Sequence, residues 1–247
     1  MGFLGDFFSG IAEGVGNALH AAVDGLSNLV SGIGRGIEEL CDKIGGEGIL
    51  LIGLIAVSIL IPGVGLPEIL ALIQVVGEVA KILGVNEGGD TPEELGMKIE
   101  IADKKPEDFD STSNYIKYLN EQVTLEEGAT DQLSPEDKVK YGSMGAALSI
   151  KAIQEKYNVG MSQEFLTDVS KMKMSAEEVA KYVEEFSKNE IGDMKDMSDY
   201  LRDKPIETDR NTVSDSIIKA LGNLYPECSS EEIEQKLADM KAGITEE

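Results

Sequence analysis

The stretch Ser134-Pro-Glu-Asp-Lys-Val-Lys-Tyr-Gly-Ser-Met-Gly-Ala-Ala-Leu-Ser-Ile-Lys-Ala-Ile-Gln-Glu-Lys-Tyr157 reads as one long helix, and its pattern decides the fold class. Ser134 stands three residues before Asp137. A hydroxyl there can accept from the orphan amides of a first turn, and the acid suits the positive end of the helix dipole. Pro135 falls at the first helical position, where a missing N–H loses nothing. Two apolar stripes follow at helical spacing: Tyr141, Met144, Leu148 and Ala152, then Ala146, Ile150, Ile153 and Tyr157. A helix that is apolar on two sides needs neighbours on both, so this one is expected in the middle of a bundle.

Outward from it the same start signal recurs at Thr91/Glu94, Ser175/Glu178 and Ser229/Glu232, with Pro92 again at a first helical position. Apolar spacing agrees at Val179, Tyr182, Val183 and Phe186, at Ile217, Ile218, Leu221 and Leu224, and at Ile233, Leu237 and Met240. Helices are expected near 92–101, 107–122, 135–157, 163–171, 176–188, 194–203, 212–223 and 230–241, and no stretch reads as a strand. The expected class is all-α: a Gly-rich amphipathic helix and an apolar helical hairpin, followed by an acidic multi-helix bundle.

Composition divides the chain. Of 27 glycines in 247 residues, 12 fall in residues 1–48. The net charge of −24 is carried mostly by residues 85–247, which hold −18 of it. Val85-Asn86-Glu87-Gly88-Gly89-Asp90 between the parts reads as a hinge or loop. The expected organisation is therefore a Gly-rich amphipathic segment at 1–47, a hydrophobic hairpin at 48–84, a linker at 85–90 and an acidic helical domain at 91–247. So acidic a chain, without a basic cluster, excludes nucleic acid as a direct partner, because backbone affinity comes from Lys and Arg displacing counterions.

From Gly48 to Pro67 there are 20 residues without a charge, the strongest single signal in the chain. About 20 helical residues are needed to span a bilayer core about 30 Å thick. Pro62, Gly63, Gly65 and Pro67 interrupt the run, so its first helix is expected to stop near Ile61. Leu66 to Leu83 is apolar again, with Gln74, Glu78 and Lys81 on one polar stripe. The pair reads as a hairpin of Ile49–Ile61 and Leu66–Leu83 joined by Pro62–Gly65. Arg35, Lys43 and Lys81 flank it and the turn carries no cation, so both ends would lie on one side of a bilayer. The residues expected to meet lipid or an apolar partner are Leu50, Leu51, Leu54, Ile55, Leu60, Ile61, Pro62, Leu66, Leu70 and Ile73.

Upstream, Leu4, Phe8, Ile11, Val15, Leu19, Ala22, Leu26, Leu29, Ile33, Ile37, Leu40 and Ile44 recur at the α-helical period of about 3.6. Gly10 with Gly14 and Gly32 with Gly36 have the small-xxx-small spacing that lets helices approach closely, which makes them helix-contact candidates and a homo-oligomer possible. The first cation is Arg35, so no secretory signal is read. Over residues 1–84, and in composition alone, the hairpin resembles the hydrophobic hairpin of colicin-type pore-forming proteins, and the leader is similar in style to membrane-penetrating ejection proteins of bacteriophages. The resemblance implies a virion or delivered, membrane-associated component.

Candidate chemistry is sparse. A catalytic triad needs an imidazole, and the one His is His20, in the Gly-rich helix. Cys41 and Cys228 lie 187 positions apart with no ligand spacing, so no metal site is expected. Gly14-Val-Gly16 and Gly32-Ile-Gly34-Arg-Gly36 follow no strand and lack the Lys-Ser/Thr of a phosphate loop. Tyr141-Gly142-Ser143-Met144-Gly145 is not a nucleophile elbow, and Asp108-Phe109-Asp110-Ser111 lacks the glycine and glutamate of a calcium loop. No catalytic residue, cofactor or small-molecule substrate is assigned. Met161, Met172, Met174, Met194, Met197 and Met240 read as core filler.

The sequence thus predicts a non-enzymatic membrane-interacting or assembly protein, whose hairpin enters a lipid bilayer or an apolar partner while the acidic part stays in water. The alternative is a soluble scaffold or interaction protein with the hairpin buried in its own core.

Overall fold

The computed structural model describes residues 66–245, and the leader, the first hairpin arm and its turn lie outside them. Among the described residues the chain is all-α, with nine α-helices and no strand. They are α1 (Leu66–Ile82), α2 (Pro92–Ile101), α3 (Thr112–Gln122), α4 (Pro135–Tyr157), α5 (Gln163–Lys171), α6 (Ala176–Lys188), α7 (Lys195–Leu201), α8 (Arg210–Leu224) and α9 (Ser230–Thr245).

Helix starts fall where the hydroxyl–acid pairs placed them. Thr91 Oγ1 accepts from the Glu94 amide at 3.2 Å while the Glu94 carboxylate accepts from the Thr91 amide at 2.7 Å. Ser175 with Glu178 repeats this reciprocal box, as does Ser229 with Glu232. The expected helix over 107–122 is instead split. A single 3-10 turn, Pro106–Asp108, ends at Phe109, and Ser111 caps a new helix by accepting from the Asn114 amide. Glu155 on α4 fixes this restart from outside, accepting from the amide and hydroxyl of Thr112 at 2.8 and 2.6 Å.

As its two stripes predict, α4 is central. Every residue from Gly142 to Ile150 is buried, and α4 packs on α1, α2, α3 and α6. α2 and α4 approach to backbone contact. A Cβ on Gly96 would stand 2.0 Å from the Tyr141 carbonyl oxygen, and one on Gly145 would stand 2.0 Å from the Pro92 carbonyl oxygen. Any side chain at either position would hold the helices apart.

The helix read as the second hairpin arm, α1, is an inner helix of the same bundle. It packs on α4, α6 and α5, burying Ile69, Leu72, Ile73, Val76, Val79 and Ala80. Its end is a Schellman turn: the Val85 amide donates to the Ala80 carbonyl at 2.9 Å, and Gly84 takes the left-handed φ of 65° the turn requires. The stretch 85–90 is a loop, and an anchored one. Val85 and Asn86 are buried, Asn86 donates to the Asp90 carbonyl and accepts from Asn120, and Asp90 pairs with Lys98 at 2.6 Å. Burial pushes the Asp90 carboxyl above the usual range despite that lysine. The core therefore runs without a break from α1 into the acidic half.

Candidate functional site

Among the described residues, buried ionisable groups are paired or hydrogen-bonded within the fold. Asp168 on α5, 1 % exposed, accepts two hydrogen bonds from the Arg202 guanidinium after α7, one of them at 2.7 Å. Asp199 pairs with Lys195, Asp196 accepts from the Thr208 amide, and Glu93 accepts from Gln74 Nε2 at 2.8 and 3.0 Å. Lys156 and Tyr157 at the end of α4 donate to the Leu83 carbonyl and so close the end of α1. Among the described residues, no group of three His, Cys, Asp or Glu is placed to hold a metal ion. Cys228 is a half-buried free thiol.

The clefts on the described surface include three of differing character. One of about 480 Å³ lies among α5, α6, α8 and α9, and its wall mixes Lys171, Glu178, Lys236 and Asp239 with Met240 and Tyr225. Another, of about 500 Å³, lies between the 84–88 turn and α3 and is walled mainly by polar groups. The third, about 390 Å³, is apolar. Pro67, Ala71, Leu72 and Val75 of α1 form one side, and Val169 with Met174 forms the other. Glu68 and Lys173, one charge of each sign, stand at its rim.

This third cleft lies where the apolar side of α1 runs past the part that the bundle covers, away from the polar stripe of Gln74, Glu78 and Lys81. Ile69, Leu72, Ile73, Val76, Val79 and Ala80 point into the core. Pro67, Ala71 and Val75, at successive i, i+4 positions, run along the cleft, and Pro67 and Ala71 are exposed. The cleft begins at the first residues of α1, where the chain arrives from the uncharged run. No helix among the described residues is long and apolar enough to cross a membrane.

The residues assigned from sequence to membrane or assembly contact divide here. Ile73, 1 % exposed, is a core residue, and its Cγ2 would lie 2.9 Å from a Cβ on Gly142. Leu66 and Leu70 are half-buried and pack on the core. Leu50, Leu51, Leu54, Ile55, Leu60, Ile61 and Pro62, the helix-contact glycines Gly10, Gly14, Gly32 and Gly36, and also His20 and Cys41, lie outside the described residues. A close helix contact through small residues does occur, at positions not assigned to it from sequence: Gly77, Gly96, Gly142 and Gly145, where α1, α2 and α4 meet. The signal was present in Gly142-Ser143-Met144-Gly145-Ala146-Ala147, five small residues in six on a helix already read as central.

No protein-family model, no curated protein and no solved structure matches this chain.

Proposed function

We propose that this is a non-enzymatic, membrane- or assembly-directed protein in which residues 66–245 form a water-facing acidic head and the uncharged run before it is the part that meets lipid or an apolar partner. One observation carries the reading: the run leads directly into α1, and α1 is locked into the head by its own core face. A greasy segment is thereby held at a fixed point of a highly charged body. The head's role follows from its charge, which keeps the chain dispersed in water and disfavours anionic surfaces.

The test is flotation of the full chain with zwitterionic vesicles, beside Ile55→Asp. The parent is expected to float. An Asp at the middle of an inserted segment costs about 3 kcal/mol, so the variant should partition about 100-fold more weakly while its far-UV circular dichroism is unchanged. A parent that stays with the aqueous fraction as a monomer refutes the reading. A second reading, a self-contained interaction protein, draws on the burial of Ile69, Leu72, Ile73 and Val76 inside the head, and predicts that outcome.

A further inference from the structure

We propose that the apolar cleft between α1 and α5 is the seat of this chain's own residues Leu54–Ile61, the end of the uncharged segment Ile49–Ile61, which folds back on α1 when no bilayer or partner is offered. The inference rests on the reading that this segment leaves water, and adds where it goes. Three observations select the occupant. The cleft opens at Pro67, and the residues just before it, Pro62, Gly63 and Gly65, are turn formers that suit a chain reversal. A reversal there lays the preceding residues antiparallel along the α1 face that carries Pro67, Ala71 and Val75.

Lengths also agree. Pro67 to Val75 is about 12 Å of helix, which a segment of about eight residues, Leu54 to Ile61, would cover with Val57 near Ala71 and Leu54 near Val75. Chemistry agrees as well: Leu54–Ile61 has no charge, its one hydroxyl being Ser58, and the cleft is walled mainly by apolar side chains, with Ser170 and the exposed, oppositely charged Glu68 and Lys173 its polar lining. Because the segment is tethered a few residues away, its effective concentration at the cleft is of millimolar order, which favours it over a second copy at micromolar protein. Seating it covers Pro67, Ala71 and Val75 of α1, and a bilayer competes for the same segment.

The chain has no Trp, so Leu54→Trp in the full protein gives a single reporter. Without lipid its emission is expected to be blue-shifted and protected from iodide. Ala71→Asp and Ala71→Lys should each move the emission to the red and raise iodide quenching several-fold, with circular dichroism unchanged because Ala71 is exposed. Ala238→Asp, the same change at an exposed position on α9, should leave both unchanged. Both Ala71 variants should also bind zwitterionic vesicles several-fold more tightly than the parent. The proposal is overturned by a solvated Trp in the parent, by a buried Trp that neither Ala71 variant moves, or by a blue shift lost on dilution, which would mean a second copy as the occupant. Flotation separates the two ideas. A chain that floats with a solvated Trp in water keeps the head-and-segment function and loses the seat. A Trp that Ala71→Asp releases in a chain that never floats keeps the seat and loses that function.

Discussion

Gly96→Ala tests the architecture at its tightest point. The added Cβ would lie 2.0 Å from the Tyr141 carbonyl oxygen, 2.6 Å from its carbon and 2.7 Å from its Cα. Ordinary contact needs about 3.5 Å, so α2 and α4 must part by about 1.5 Å, and the obstacle is mid-helix backbone that cannot swing aside. Overpacking of this kind costs about 1–3 kcal/mol, and a gap that size also forfeits a quarter or more of the dispersion between Leu95 and Ile99 and the α4 face they pack on. Against this, Ala in place of Gly in a helix gains about 1 kcal/mol. The net expectation is a loss of about 1–2 kcal/mol, or about 2–8 °C in Tm for a body this size, read by urea and thermal unfolding. Gly222→Ala and Gly243→Ala, where a Cβ meets nothing within 4 Å, should instead gain up to about 1 kcal/mol. Gly145→Ala strikes the Pro92 carbonyl at the same crossing, so the double variant with Gly96→Ala should cost less than the sum of the singles, since the first separation makes room for the second. A Gly96→Ala protein that is as stable as the Gly222→Ala protein, or strict additivity with Gly145→Ala, would refute the close crossing.

Two further expectations concern buried polar groups. Arg202→Leu strands the carboxylate of Asp168, which is 1 % exposed, and should cost about 3 kcal/mol in urea unfolding, the low end for a broken buried pair because Arg202 keeps some water contact; a loss under about 1 kcal/mol would show that water or another donor replaces it. Burial holds the Tyr115 and Tyr182 hydroxyls well above the ordinary tyrosine range. With the folded value raised, the proton is held in the native state and released on unfolding. The stabilisation is therefore full below pH of about 10, and above it stability falls by about 1.4 kcal/mol per pH unit for each of the two. Spectrophotometric titration should show these two ionising only as the bundle opens, and Tyr115→Phe with Tyr182→Phe should flatten the alkaline decline. A decline of equal slope in that double variant would assign it to other groups.

Helix extents were legible because they are written locally. Thr91, Ser134, Ser175 and Ser229 each stop one conformation and start another within four residues, and no distant partner is needed to read them. Where a distant partner decides, local reading falls short. Residues 107–110 look as helical as 112–122, but Glu155, more than forty positions away, holds Thr112 as the first residue of α3. The glycine crossing follows the same logic. Gly142 and Gly145 announce that something comes close, but only the fold shows that it is Ile73 and Pro92. Residues 66–83 were the hardest, since lipid and a protein core ask the same pattern of a helix: apolar side chains nearly all round. What places α1 in the core is the facing surface of α4, some seventy residues later, which periodicity within α1 does not contain.

That placement limits what the head can release. Ile69, Leu72, Ile73, Val76, Val79 and Leu83 are all at most 5 % exposed, and full burial of such side chains is worth about 1.5–3 kcal/mol each, so the α1 interface holds on the order of 10 kcal/mol. Domain stabilities are about 5–15 kcal/mol in total. Lipid could receive the α1 side of that interface, but the α4 and α6 faces would be left against water, with the α2–α4 crossing exposed beside them. Pulling α1 out is therefore close to unfolding the head, and a hairpin that inserts both arms together would have to pay that cost. On the function proposed above, the lipid-facing part is then the residues before α1, and a cut meant to separate head from segment belongs before Leu66; one at Asp90 would remove an inner helix of the bundle.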